Sequence, residues 1–251
     1  MDLQSIIDES EKIVFFGGAG VSTESGIPDF RSQDGLYNMK YKYPPEQIIS
    51  HSFFMADPEE FFRFYRDRMI YPAAKPNAAH LKLAELERAG KLSAVVTQNI
   101  DGLHSDAGSK NVIELHGSVR RNHCMKCGKS YGLEFITSAD GVPRCSCGGI
   151  VKPDVVLYEE PLNESDINAA INAISDADVL ISGGADKVLQ RQAAGGDKQV
   201  ADLRGRRSRH RDKRQHRRDP RLDNSKLIRS VHGDKDRHLP VPELQRGAGI
   251  Q

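Results

Sequence analysis

A chain of 251 residues, 38% hydrophobic and 28% charged, is long enough for one sizeable domain with an insert or for two small ones. No apolar run reaches the roughly 18 residues of a membrane span, and the opening MDLQSIIDESEK is acidic without a basic, apolar leader, so neither a membrane partner nor secretion is expected and a cytoplasmic location is. The formal net charge of +1 hides a split, because residues 186–251 hold 18 of the 36 Lys and Arg but only 9 of the 35 acidic residues.

Leu3 to Ser10 predicts a short amphipathic helix, and the apolar run Ile13–Phe16 a strand. Gly17, Gly18, Ala19 and Gly20 follow, as when a strand runs into a phosphate-cradling turn. A fold that only borrows a dinucleotide would continue into a long helix and a ribose-binding acid. Here Gly26-Ile27-Pro28 breaks the chain, and Asp29, Phe30 and Arg31 come next. Residues 33–75 are rich in aromatics, and DPEEFFRFYRDRMI has helical spacing from Asp57 or Pro58. KPNAAHLKLAELERAGK predicts a helix capped by Asn77, with Leu81, Leu83 and Leu86 as its apolar positions and Gly90 ending it. SAVVTQN and NVIELHG predict buried strands. Beyond the cysteines, KPDVVLY predicts a strand, and NESDINAAINAISDAD a helix with Ile167, Ile171 and Ile174 on one face. VLISGG is a strand ending in Gly183 and Gly184.

Continuously apolar strands alternating with helices argue for an α/β fold: a Rossmann-like parallel sheet covered by helices on both faces. The expected division is a core of residues 1–185. Its Rossmann parts are 1–32, 76–118 and 151–185, with a helical insert at 33–75 and a zinc-binding insert at 119–150. The last aromatic residue is Tyr158, and LRGRRSRHRDKRQHRRDPRLDN resembles no packed element. Residues 186–251 are therefore expected to be a poorly ordered basic tail, with the C-terminal part of the sheet missing or disordered.

Cys124, Cys127, Cys145 and Cys147 are the chain's only cysteines. Two close pairs that close a short loop suit a structural zinc site with four thiolates. The second pair is C-x-C where C-x-x-C is commoner. Four thiolates leave no open position, so this zinc is expected to hold the insert together and to take no part in chemistry.

TQNIDGLH stands where the second strand ends, and ELHGS puts His116 at the end of the next. Ligands of open parallel sheets bind outside the carboxyl ends of the strands. Each polar residue alone is ordinary turn chemistry. Asp29, Phe30, Arg31, Gln98, Asn99, Asp101 and His116 converging beside a phosphate loop point to a site.

GAGVSTESGIPDFR, TQNIDGLH, LHG, the two cysteine pairs and KPDVVLYEE, in that order, resemble the signature motifs of the sirtuin family, over residues 1 to about 184. The resemblance implies an NAD-dependent protein lysine deacylase, in which NAD is a substrate that is cut. It assigns Gly18, Ala19, Gly20 and Thr23, with Gly183 and Gly184, to NAD, and Asp29 with them. Phe30 would cover the reactive ribose and Arg31 would neutralise phosphate. Gln98 and Asn99 would orient ribose hydroxyls, and Ile100 and Asp101 would line the nicotinamide pocket. His116 would be the general base, with Asn99 beside it in catalysis. Val155, Val156, Leu157 and Tyr158 would form the edge against which an acyl-lysine peptide pairs as a strand. His51, His80 and His104 are given structural roles. Tyr65 and Arg68 have the Tyr-x-x-Arg spacing of the family's enzymes for acidic acyl groups, but an Arg-rich helix makes such pairs by accident, and a simple deacetylase is the preferred reading.

The resemblance stops after VLISGGA, where Ala185, Asp186 and Lys187 stand in place of Thr, Ser and an apolar residue. The change in composition there is what an altered reading frame would produce, and a frameshift near residues 184–188, in the gene or in its sequencing, is the expectation. The lost part normally holds the adenosine half of NAD, so activity of this chain is expected to suffer. Two other readings are a protein ADP-ribosyltransferase and a zinc ribbon whose basic tail grips nucleic acid. The tail's want of interleaved aromatics argues against a nucleic-acid partner.

Overall fold

The computed structural model describes residues 3–29, 35, 41–184, 199–202 and 207–208, the last two stretches by their backbone. Helix α1 (Leu3–Glu9) leads into strand β1 (Ile13–Gly17), which is followed by two short 3-10 turns, Ala19–Val21 and Thr23–Ser25. Four helices follow: α2 (Pro45–Ile48), α3 (His51–Ala56), α4 (Pro58–Arg68) and α5 (Ala78–Arg88). Then come β2 (Leu92–Thr97), α6 (Leu103–Asp106), β3 (Val112–Glu114), β4 (Gly117–Cys124), β5 (Ser130–Tyr131), α7 (Leu133–Thr137) and β6 (Val151–Val155). The described chain closes with α8 (Glu164–Asp176), β7 (Val179–Gly183), β8 (Gln199–Asp202) and β9 (Arg207–Ser208).

The main sheet has the order β3-β2-β1-β7-β8-β9, with all neighbours parallel except the β8–β9 pair. Alternate residues of β1 reach opposite faces. Ile13 and Phe15 pack with Ile6 of α1 and Leu83 of α5. Val14 and Phe16 pack with Ala170 of α8 and Leu115. Both faces are covered, which is why every residue of β1 and β7 is buried and both read as unbroken apolar runs. Gly17 lies opposite both Thr97 and Gly183, so three strands end level and their outgoing loops share one rim.

The structure corrects four expectations. The stretch 151–155, placed in the Rossmann part from sequence, pairs antiparallel with β4 in a second sheet of order β5-β4-β6. An apolar strand read alone does not say which sheet it joins. The helical and zinc-binding inserts, read as separate units, share one core: Phe54, Phe61, Phe62 and Tyr65 pack with Ile136, Cys145, Val151 and Leu157. Leu81, assigned to the apolar face of α5, is 53% exposed, whereas His80, Leu83 and Ala84 are buried. Asn77 sets this phase, since its side chain accepts from the N–H groups of Ala79 and His80 and starts the helix at Ala78. Finally, strands were not expected after Gly183, yet β8 pairs with β7 and β9 with β8. A buried strand's open edge offers unpaired backbone groups, and pairing them needs no particular side chain. The rest of the 186–251 tail lies outside the described residues.

Candidate active site

The short 3-10 turns after β1 bring Ser22, 1% exposed, under the rim. Its hydroxyl donates to Asp101 Oδ2 at 2.7 Å and accepts from Asn99 Nδ2 at 3.0 Å. His80 Nε2 lies 3.5 Å from the same oxygen. Asn99 is itself buried, and its N–H donates to Thr97 Oγ1 at 3.0 Å. Asp101 uses its other oxygen to accept the Leu103 N–H at 2.9 Å, which fixes the start of α6. A serine oxygen thus ties the β1 loop to the β2 loop, and burial lowers the His80 pKa so that its ring stays neutral.

His116 comes from the turn between β3 and β4. Its Nδ1 is 3.0 Å from the Gln98 carbonyl oxygen. A carbonyl can only accept, so Nδ1 carries the proton and Nε2 is the basic nitrogen of the neutral ring. Gly117 makes the turn possible. Its φ is +74°, and a Cβ there would meet the Asp154 carbonyl oxygen at 1.9 Å. The His116 carbonyl accepts the Val156 N–H at 3.0 Å, which joins this turn to the expected substrate edge.

The structure therefore brings Gln98, Asn99, Asp101 and His116 together. Of the four, Asp101 lines a cavity of about 380 Å³, walled also by Ile27, Met69, Leu103, Val119 and Arg120. Ile100 stays half-buried, and its carbonyl accepts the Val119 N–H. Asp29 is half-buried at the end of the described β1 loop. Phe30 and Arg31 lie outside the described residues. Sequence reasoning missed Ser22, while His80, given a structural role, is buried and completes the capping box of α5 by accepting the Asn77 N–H. The one available signal was a polar residue inside the glycine turn.

The glycine turn differs from the sequence-based picture. Gly18 N–H donates to the Gly183 carbonyl and Gly20 N–H to the Gly184 carbonyl, while Val21 and Ser22 donate within the turn. These four amides are taken, so the turn offers a diphosphate fewer N–H groups than its glycines suggest. Gly183 and Gly184 serve as props for it. A Cβ on Gly20 would lie 2.8 Å from Gly184 Cα, and one on Gly184 would lie 2.4 Å from Val21 N. Ala19 is half-buried, and the exposed Thr23 donates its hydroxyl to the Gly20 carbonyl.

The edge at 155–158 is also more committed than expected. The N–H groups of Val156, Leu157 and Tyr158 donate to the His116 carbonyl, Glu160 Oε2 and the Ile49 carbonyl. Tyr65 is wholly enclosed in the core and stacked on Phe61, and Arg68 pairs with Asp67 at 2.7 Å. Neither residue lines the cavity beside Asp101.

The sulfur atoms of Cys124, Cys127, Cys145 and Cys147 lie within 4.8 Å of one another, with Cys124–Cys147 at 3.4 Å and Cys127–Cys145 at 3.6 Å. Sulfurs on a tetrahedron of about 2.3 Å zinc–sulfur bonds are about 3.8 Å apart, so the set fits zinc. The Cys147 N–H and the Tyr131 hydroxyl, 3.0 Å from the sulfur, hold the Cys145 thiol down at about 5. Thiolate is the form that binds the metal.

The family model described as Sir2 matches residues 18–190. The chain belongs to the Sir2 family. Among sirtuin relatives, the NAD-dependent protein deacetylase of Clostridium perfringens is 63% identical over 190 residues, which is 74% of this chain and 78% of that protein. The protein of the same name from Clostridium acetobutylicum is 60% identical over 192 residues, covering 75% of this chain and 78% of its own. A crystal structure of a Sir2 homolog–NAD complex superposes with a TM-score of 0.69 at 39% identity, covering 80% of this chain and 82% of that one. A Sir2 variant bound to deacetylated p53 peptide and 3'-O-acetyl ADP ribose gives a TM-score of 0.69 at 37% identity, over 80% and 86% of the two chains. The family match ends at residue 190, close to where the arginine-rich stretch begins.

Proposed function

We propose that this chain is an NAD-dependent protein lysine deacetylase that removes the acyl group from lysine in a protein or peptide, with zinc in a structural role. The observation that carries the reading is the His116 tautomer, set by the Gln98 carbonyl beside the Ser22–Asn99–Asp101 network. NAD, when bound, supplies a labile nicotinamide–ribose bond and an ADP-ribose acceptor for the acyl group. The chain's own residues do the rest. Asp101 and Ile100 hold the carboxamide side, and Gln98 and Asn99 hold ribose hydroxyls. His116 takes a proton from that hydroxyl chain at Nε2, and the imidazolium so formed keeps its charge, stabilised by the Nδ1–H hydrogen bond to the Gln98 carbonyl. Gly18, Ala19, Gly20 and Thr23 shape the wall at the diphosphate, Asp29 is assigned to NAD, and the roles given to Phe30 at the reactive ribose and Arg31 at phosphate fall on residues outside those described.

The relatives' names and the complex with deacetylated peptide support deacetylation over ADP-ribosyl transfer. Residues 1–185 are read as the catalytic core and 186–251 as a divergent tail, in a cytoplasmic protein. Among the described residues no helix is long and apolar enough to cross a membrane. The test is nicotinamide release from NAD with and without an acetyl-lysine peptide. It is run on this chain and on one whose residues after Gly184 are replaced by a family-type continuation. Peptide-stimulated release with acetyl-ADP-ribose as product is expected, stronger in the second protein. Label from NAD that stays on protein in both would replace this reading with ADP-ribosyl transfer.

A further inference from the structure

Lys152 and Glu160 form an ion pair at 3.0 Å, with side chains only 11% and 18% exposed. Lys152 Nζ also donates to the carbonyls of Pro153 at 3.2 Å and Val155 at 3.0 Å. Glu160 Oε2 accepts the Leu157 N–H at 2.9 Å, and Oε1 faces His51 Nδ1 at 2.9 Å. Burial works to raise the Glu160 pKa, but His51, the Leu157 N–H and Lys152 outweigh it and hold the carboxylate ionised. A buried ion pair is weak evidence for stability, since well-packed apolar residues often do as well. What this pair does that apolar residues could not is geometric. Two side chains fasten the carbonyls of Pro153 and Val155 and the amide of Leu157, on either side of the Val156 N–H that holds the His116 carbonyl. The same segment borders a groove of about 570 Å³ with His51, Asp154 and Leu162.

We propose that Lys152 and Glu160 are positioning residues for the acyl-peptide substrate. The proposal rests on the deacetylase reading. The pair holds residues 153–157 at a set height against His116. It also occupies backbone groups at Val155 and Leu157 that an incoming strand could otherwise use. A strand that finds those partners taken has fewer alternative registers, and slipping by one residue would turn its acyl-lysine to the wrong face.

The test compares the full-length chain with Lys152→Met/Glu160→Leu, which removes both charges at once, and with Lys152→Arg, which keeps the ion pair. Three quantities are read: amide exchange at Val156 and Leu157, anisotropy of a labelled acetyl-lysine peptide, and NAD binding. In the double variant, thermal melting close to that of the unaltered chain is expected. Exchange at both amides should be faster, peptide affinity about tenfold weaker, and NAD affinity unchanged. Lys152→Arg should retain peptide affinity. A folded double variant with full peptide affinity overturns the proposal alone, as does one that loses peptide and NAD in equal measure. An unaltered chain that binds no acetyl-lysine peptide sinks the deacetylase reading, and this proposal with it.

Discussion

The imidazole of His116 and the backbone carbonyl of Gln98 meet at 3.0 Å, although they lie on turns after different strands. This single contact selects the tautomer, aims the ring and locks the end of β2 to the turn before β4. Removing the ring while keeping the turn, as in His116→Ala, should lower deacetylation by roughly 10²–10⁴-fold, with only the modest fall in melting temperature that losing one hydrogen bond brings. Steady-state assays beside thermal melts check this. Full activity in the variant would remove His116 from the chemistry.

Gly117 tolerates no side chain. Gly117→Ala should destabilise the fold by at least about 2 kcal/mol, because it combines a left-handed backbone with a Cβ driven into the Asp154 carbonyl. Urea unfolding measures the loss.

Ser22→Ala leaves Asp101 and Asn99 each short of a partner in a buried place. A loss of about 1–3 kcal/mol is expected, together with a KM for NAD that rises more than the KM for peptide. Equal KM values for the two proteins would reduce Ser22 to packing.

His104 sits between Phe15 and His80, with ring centroids at 5.9 and 4.6 Å. Burial, helped by His80, pushes its pKa down to about 3. Between that value and the ordinary one of about 6.5 the unfolded chain binds a proton that the folded chain does not. Stability should therefore fall as pH falls through this window, by up to about 1.4 kcal/mol per unit. Urea unfolding from pH 7 to pH 5 should show the slope, and His104→Phe should flatten it. An identical slope in the variant would place the acid sensitivity elsewhere.

Chelating the zinc should unfold the cysteine-bearing insert. Since Cys145 and Ile136 share a core with Phe54 and Tyr65, the helical insert should loosen with it. Hydrogen exchange would then rise in α4 as well as around Cys124–Cys147. Protection of α4 that survives metal removal would show the two inserts to be energetically separate.

Much of this was legible in the sequence. Asn77 announces its helix, unbroken apolar runs announce strands covered on both faces, and two cysteine pairs announce a metal. What stayed hidden depends on long-range pairing. Nothing in KPDVVLY says that it pairs with Gly117–Cys124 and not with the main sheet. Asn77 was the expected cap of α5 and is the observed one, but Leu81 and Leu83 stand two residues apart and cannot share a helix face, so Leu81 looked inward only because it is a leucine. Ser22 was invisible because a buried hydroxyl is identified by its partners, and these stand 77 and 79 residues further along the chain. The glycines looked like a phosphate cradle, whereas several of their amides are occupied by one another's carbonyls.

The contact between Gly20 and Gly184 carries one further consequence. The first loop of the molecule leans on the last residue before the composition changes, with no room for even a methyl group between them. A chain that ended before Gly184 would lose the buttress of its first loop as well as the strand pairing beyond it.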